Sequence, residues 1–302
     1  MIHKNCISIV GGTPLVALDR LGAKARICAK LEMMNPAGSV KDRLGVALIS
    51  DAEQRGLIRS GMTLVEATGG NTGIGLAFAA AIKGYELVLT MPDTMSVERV
   101  ALLKQLGARI VLTPGILMGP AVERAREIAA TTKHAYLIDQ FNNPANPRLH
   151  RETTGPEIWD ASEGRVDAFV SAVGTGGTIT GVGEFLKSKN PAVRIIAVEP
   201  EGSAVLSGGL AGQHAMPGIG VGFIPSVLNR TVIDEISVVS DSDAMHWAKV
   251  LAKSEGIIAG VSSGAALCAT MRIANRLEWS DKRICVLLAD TGERYITTAL
   301  FG

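Results

Sequence analysis

The chain has 302 residues, 47% of them hydrophobic and 4% aromatic, and its 30 basic and 29 acidic residues leave a net charge of +1. That length supports two domains or one large α/β domain, and the balanced charge lacks the positive excess that a nucleic-acid partner requires. Cys6, Cys28, Cys268 and Cys285 lie far apart and fit no CxxC or zinc spacing, so no metal site is expected.

Residues 1–34 contain a G-G-T-P turn (11–14) and a strand over 25–32. Asn35-Pro36-Ala37-Gly38-Ser39-Val40-Lys41-Asp42-Arg43 then reads as a loop ending at a helix N-terminus, with Ser39 as N-cap, Asp42 completing a capping box and Gly56 as the stop. Lys41 thus falls in a first turn, where the helix dipole disfavours a cation by a few tenths of a kcal/mol. A solvated lysine and a lysine used as an amine nucleophile both suit this position. Strands follow at 63–68, 86–91, 108–113 and 135–138. They are separated by helices ending at Gly84, starting at Ser96 and ending at Gly107, and covering 121–132.

A Pro- and Asn-rich turn, Q-F-N-N-P-A-N-P (140–147), marks a crossing between domains. Beyond it come a helix over 147–161 with a possible break at Gly155-Pro156, a strand at 167–173, a helix to 188 and a strand at 194–199. A Gly-rich loop spans 200–226. It is followed by an extended segment (232–240), helices at 242–253 and 263–277, a buried strand at 283–290 and a short helix from Glu293. Residues 202–229 carry no charged side chain, but seven glycines and two prolines make them a loop and not a membrane span. The N-terminus lacks an apolar run long enough for a signal peptide, and Cys28 and Cys285 sit in apolar runs as reduced core residues. A cytoplasmic location with no membrane partner is therefore expected. The alternation of strand and helix, with a period of roughly 25 residues, implies mostly parallel twisted sheets with helices on both faces.

Three Gly-rich turns carry candidate chemistry. Gly174-Thr175-Gly176-Gly177-Thr178 lies between a buried strand and a helix, where backbone N–H groups and the helix dipole suit a single phosphate. A plain tight β–α turn is the alternative. A dinucleotide fingerprint with Glu199 as ribose ligand fails, because its third glycine would fall on Ile179. Thr68-Gly69-Gly70-Asn71-Thr72 is either a capped helix start or a carboxylate-binding turn. Gly260-Val261-Ser262-Ser263-Gly264 has the form of a hydrolase nucleophile elbow, but all five histidines precede Ser262, against the order such a triad needs. Ser262 either caps a helix or points at a heteroaromatic nitrogen.

Together S-V-K-D-R, E-A-T-G-G-N-T-G-I-G-L-A, Q-F-N-N-P-A-N-P, G-T-G-G-T-I-T-G, G-I-G-V-G-F-I-P, G-V-S-S-G-A and G-E-R-Y-I-T-T resemble the O-acetylserine sulfhydrylases (cysteine synthases), fold-type II enzymes dependent on pyridoxal phosphate. The motifs keep the family's order over nearly the whole chain. The resemblance implies two three-layer αβα domains with the cofactor in the cleft between them: 1–39 plus 146–302, larger, and 40–145, smaller and mobile. It implies that Lys41 carries the cofactor and acts as the base, that Gly174, Thr175, Gly176, Gly177 and Thr178 bind its phosphate, that Asn71 contacts the ring hydroxyl and that Ser262 meets the ring nitrogen. Thr68, Gly69, Asn71, Thr72 and Gln140 would surround the substrate carboxylate, and Gly218, Gly220 and Gly222 would line the mouth of the site.

The implied reaction is β-replacement on O-acetyl-L-serine by sulfide, giving L-cysteine and acetate. Cystathionine β-synthase-type chemistry with homocysteine and a dehydratase are the rivals. The absence of a haem-binding extension and a regulatory domain favours sulfide. A homodimer, and capture of the C-terminus of serine acetyltransferase, are the implied partners. Two features depart from the family. Gly69 replaces its usual serine, so Gly69→Ser is expected to tighten substrate binding; the chain also stops soon after T-T-A-L-F-G, which bears on the dimer edge.

Overall fold

The computed structural model describes residues 2–115 and 118–302. Along the chain, β1 (Leu15–Ala17) and β2 (Arg26–Leu31) precede α1 (Lys41–Gln54). There follow β3 (Thr63–Ala67), α2 (Asn71–Lys83), β4 (Glu86–Pro92), α3 (Val97–Gln105), β5 (Arg109–Thr113), α4 (Met118–Thr131) and β6 (Ala135–Leu137). A continuous helical stretch joins α5 (Ala145–Leu149), a π-helical turn (His150–Thr154) and α6 (Gly155–Ala161). The rest comprises β7 (Ala168–Ala172), α7 (Gly177–Lys189), β8 (Arg194–Pro200), β9 (Glu235–Val239), α8 (Asp241–Glu255), α9 (Val261–Ala274) and β10 (Arg283–Leu288).

Two compact units result. The smaller holds residues 2–10 and 35–145, and the larger holds 11–34 and 146–302. The break at 145/146 lies in the Pro/Asn turn. The N-terminal stretch divides differently from the expected 1–39: residues 2–10 and 35–39 group with the smaller unit. The loop 35–39 is tied there to the first turn of α1.

In the smaller unit the described strands form a parallel sheet in the order β5-β4-β3-β6. One face packs Val65, Ala67 and Val88 against Ala125 and Ile128 of α4. Helices α1 and α2 pack on each other at backbone distance. A Cβ on Gly45 would run into the carbonyl of Gly75, and a Cβ on Gly75 would run into the carbonyl of Lys41. Leu44, Leu48 and Ile49 of α1 and Leu76 and Ala79 of α2 are fully buried there. Each of the leucine and isoleucine side chains contributes roughly 1.5–3 kcal/mol by leaving water.

In the larger unit the order is β1-β2-β10-β7-β8-β9, parallel except for the antiparallel edge pair β1–β2. Helix α9 is buried along almost its whole length and is central to the larger core. Lys30 is also buried here, its Nζ donating to the Thr13 carbonyl at 2.5 Å and to Glu157 at 2.6 Å. That pairing offsets the desolvation an isolated ammonium would suffer.

Most helix ends follow the sequence signals. Gly56 (φ +67), Gly84 (φ +76) and Gly107 (φ +89) close α1, α2 and α3 in the left-handed conformation, and the Ser96 hydroxyl accepts from Arg99 N–H to start α3. Three readings are corrected. Ser39 lies one residue outside the formal cap, Val40, although its Oγ still accepts the Lys41 N–H at 3.2 Å. Helix α9 begins at Val261 instead of 263, because Gly260 in extended backbone serves as its cap. The chain does not break at Gly155-Pro156. The π turn just ahead of it accommodates the proline, which cannot donate to the helical ladder.

No helix among the described residues is long and apolar enough to cross a membrane, and no group of His, Cys, Asp and Glu there is arranged to hold a metal. All four cysteines are free thiols.

Candidate functional site

In the smaller unit, Thr68-Gly69-Gly70 leaves the C-terminal end of β3 and opens α2 at Asn71. Gly70 is the cap and supplies no side chain, so the first N–H groups of α2 have no side-chain acceptor from the cap. The Thr68 hydroxyl accepts the Gly70 N–H at 3.2 Å, which curls the turn. The Thr72 hydroxyl donates to Gln140 Oε1 at 2.7 Å, both residues being buried. Gln140, 68 residues away, thereby joins the turn, and Thr68, Gly69, Asn71, Thr72 and Gln140 are brought together. A helix N-terminus with its positive dipole end and clustered hydroxyls suits an anion.

Lys41 begins α1 in the same unit. The Asp42 carboxylate reaches back to accept the Ala37 N–H at 2.6 Å, and Gly38 (φ +82) turns the loop. The lysine carbonyl rests on Gly75, inside the second turn of α2, so Lys41 and the start of α2 are fixed relative to each other.

The larger unit builds a second turn suited to an anion. Gly174-Thr175-Gly176-Gly177-Thr178 links β7 to α7, with Gly176 at φ +83 as the helix cap. Each glycine is sterically required. A Cβ on Gly174 would hit the Gly218 carbonyl, one on Gly176 would approach Leu228 Cβ at 2.8 Å, and one on Gly177 would overlap the Asn146 amide. Asn146 Nδ2 donates to Thr175 Oγ1 at 3.0 Å, and the Thr178 hydroxyl pairs with His150 Nε2 at 3.2 Å. His150 is buried, its other ring nitrogen 2.9 Å from Thr154 Oγ1. Gly218, Gly220 and Gly222 all have positive φ, and the Gly220 N–H bonds to the Val173 carbonyl at 3.1 Å, packing that loop against the turn.

Ser262 is buried in the first turn of α9 but does not cap it, since Gly260 does. The neighbouring Ser263 hydroxyl accepts the Ala289 N–H at 2.9 Å, a purely structural bond. The glycines of the elbow-like sequence have packing reasons: Gly260 abuts Asp290, and Gly264 abuts the Ala244 carbonyl of α8. Glu199, the rejected ribose ligand, instead accepts the Leu206 and Ser207 N–H groups at 2.8 and 2.9 Å and ties down the loop after β8.

The residues that fit pyridoxal phosphate are therefore present: a loop kept free of side chains at the start of a 13-residue helix, two threonine hydroxyls, and a primary amine at the start of α1. Sequence reasoning missed Asn146 and His150, which orient both threonines. Asn146 stood inside a recognised motif, but nothing local tied it to a loop 29 residues on. Asn146→Ala should retain the fold and weaken cofactor binding by about tenfold, the equivalent of about one hydrogen bond. Equilibrium dialysis of cofactor against both proteins measures this.

Comparison with known proteins agrees with the geometry. The pattern of the family "Pyridoxal-phosphate dependent enzyme" matches residues 7–290. Cysteine synthase A of Salmonella typhi is 49% identical across 100% of this chain and 96% of its own. The crystal structure of cysteine synthase from Entamoeba histolytica superposes with a TM-score of 0.95 at 42% identity, covering 100% of this chain and 91% of that one. An O-ureido-L-serine synthase structure gives a TM-score of 0.96 at 41% identity, covering 100% and 96%. The chain belongs to the pyridoxal-phosphate-dependent enzymes, within the cysteine synthase family.

Proposed function

We propose that this protein makes L-cysteine from O-acetyl-L-serine and sulfide, with release of acetate. What carries the reading is that the chain has both Lys41 at the start of α1 in the smaller unit and a side-chain-free turn at Gly174–Thr178 in the larger, and is 49% identical to a cysteine synthase. Pyridoxal phosphate, when bound, draws electrons from the amino acid's Cα, so that the α-proton and then the β-acetate can leave. Lys41 is the amine that would carry it and the base that would remove the α-proton.

The Gly174–Thr178 backbone and the Thr175 and Thr178 hydroxyls hold the phosphate. Asn71 contacts the ring hydroxyl. Ser262 would face the ring nitrogen, and a serine, unlike an aspartic acid, would not protonate it, which would favour β-elimination over transamination. Thr68, Gly69, Asn71, Thr72 and Gln140 hold the substrate carboxylate, and the loop bearing Gly218, Gly220 and Gly222 borders the Gly174–Thr178 turn. In this reading the protein works as a homodimer, and the Thr68–Thr72 turn also accepts the C-terminal carboxylate of serine acetyltransferase.

Product identification with each donor–nucleophile pair tests the assignment. O-acetylserine with sulfide should give cysteine at a rate well above that of serine with homocysteine, and borohydride reduction should leave the cofactor on Lys41. Cystathionine as the main product, or the label on another lysine, would overturn it.

Gly69 bears on substrate affinity. Its φ is not positive, so backbone strain does not bar a side chain. A Cβ there, however, would meet Met95 Sδ at 2.6 Å and Met91 Sδ at 3.1 Å. A serine there requires Met95 to move, so any gain in binding from Gly69→Ser is offset by that rearrangement. Gly69→Ser alone should leave amino-acid affinity within about twofold of the parent. Combined with Met95→Ala it should improve affinity about fivefold, the range of one added hydrogen bond. Titration of the cofactor's visible absorbance with amino acid distinguishes the two.

A further inference from the structure

His150 and Thr154 stand at the two ends of the π-helical turn, and Thr178 lies in the first turn of α7. These segments approach at backbone distance. A Cβ on Gly181 would run into the Pro147 carbonyl and come within 2.8 Å of His150 Cβ, so the bare glycine lets the imidazole reach Thr178. His150 is 1% exposed and Thr154 is fully buried. With water excluded, each polar hydrogen of this group needs an acceptor in the protein or in a ligand. Each ring nitrogen meets a hydroxyl: Nδ1 lies 2.9 Å from Thr154 Oγ1, and Nε2 lies 3.2 Å from Thr178 Oγ1.

Thr154 settles which nitrogen carries the ring proton. Its hydroxyl has one proton to give, and among the described residues its hydrogen-bond partner is His150 Nδ1. The neighbouring Thr153 hydroxyl instead donates back to the Leu149 carbonyl at 2.7 Å. A proton on Nδ1 would point at the Thr154 oxygen and leave the buried Thr154 O–H without an acceptor, the costlier arrangement. The same holds for the imidazolium, which also bears a proton on Nδ1. Thr154 therefore donates to Nδ1, and the imidazole carries its proton on Nε2.

We propose that His150 is a positioning residue for the phosphate, held by Thr154 as the Nε2–H tautomer so that it donates to Thr178 Oγ1 and leaves the Thr178 proton for a phosphate oxygen. The proposal rests on the reading of Gly174–Thr178 as the phosphate turn. In the other tautomer Nε2 would take the Thr178 proton, and the hydroxyl would turn only lone pairs towards an anion. Thr175 is supplied in the same sense by a different residue. Its oxygen accepts Asn146 Nδ2 at 3.0 Å and the Gly177 N–H at 3.4 Å, which leaves its own proton to give. Both hydroxyls of the turn thus act as donors because buried donors stand behind them, and α7 adds the positive end of its dipole.

Two-bond proton–nitrogen NMR correlations, in holoenzyme labelled at its histidine nitrogens, read the tautomer directly. The His150 signals are those lost in His150→Gln, and they should show a protonated Nε2 and a bare Nδ1. A proton on Nδ1 would overturn the proposal. Equilibrium dialysis of the full chain supplies the second reading. His150→Leu should weaken binding of pyridoxal phosphate about tenfold, the equivalent of a hydrogen bond to a charged group, and leave pyridoxal, which lacks the phosphate, within about twofold. His150→Gln, with an amide N–H at the Nε2 position, should restore the affinity. Thr154→Val should weaken pyridoxal phosphate in the same selective way, and Thr154→Ser, which keeps the hydroxyl, should not. Equal losses of both compounds in His150→Leu would mark a merely structural residue and overturn the proposal. If that variant fails to fold, the tautomer and the Thr154 pair decide. Undiminished affinity for pyridoxal phosphate in Thr178→Val would instead overturn the reading of the turn, a different result from a failure at His150.

Discussion

The smaller unit depends on one steric constraint, the backbone-to-backbone crossing of α1 and α2 at Gly45 and Gly75. Two helices can approach this closely only where neither carries a Cβ. Here Gly45 meets the Gly75 carbonyl and Gly75 meets the Lys41 carbonyl. Lys41 and the Thr68–Thr72 turn at the start of α2 are therefore held by main chain against main chain. Side-chain packing from Leu44, Leu48 and Leu76 then locks the pair. A lysine proposed as both tether and base would need such definition, because misplacement by an ångström weakens catalysis severely.

The larger unit meets an analogous demand by a different device. Its Gly174–Thr178 turn, proposed above as the phosphate site, is kept free of side chains by glycines, each backed by a specific neighbour: Gly174 by Gly218, Gly176 by Leu228 and Gly177 by Asn146. The threonine hydroxyls are aimed by Asn146 and His150, which come from the helical stretch beginning at residue 145. The π turn that places His150 lies directly ahead of Pro156, so a local irregularity in the helix coincides with a residue that supports the site. The polar atoms that would contact ligand are thus oriented by residues with no direct role in chemistry.

The features legible in the sequence are those with local causes. Gly56, Gly84 and Gly107 end helices because left-handed backbone favours glycine, and Ser96 starts one through its own hydroxyl; such signals need only a few neighbouring residues. The order of strands and helices followed from hydrophobic spacing. The Gly-rich turns were visible because they interrupt that spacing, and the motif series as a whole pointed to the family. What was not legible depends on distant partners. β1 is a three-residue edge strand defined only by its pairing with β2. Gly45 and Gly75 look like ordinary small residues until the helices cross. Gly69 reads as a missing hydroxyl, and only the fold shows Met91 and Met95 against it. Glu66 is a charged residue within a strand, and only the fold shows that it is buried.

The central claim is that the glycine crossing sets the place of Lys41. The most direct measurement compares the wild type with Gly75→Ala, reading cofactor attachment to Lys41 by borohydride reduction and peptide mapping alongside the denaturant midpoint. Overpacking of this kind destabilises by roughly 1–3 kcal/mol. The account predicts that loss, together with cofactor occupancy of Lys41 well below that of the wild type under conditions where the variant remains folded. A folded Gly75→Ala protein with wild-type stability and full labelling of Lys41 would contradict it.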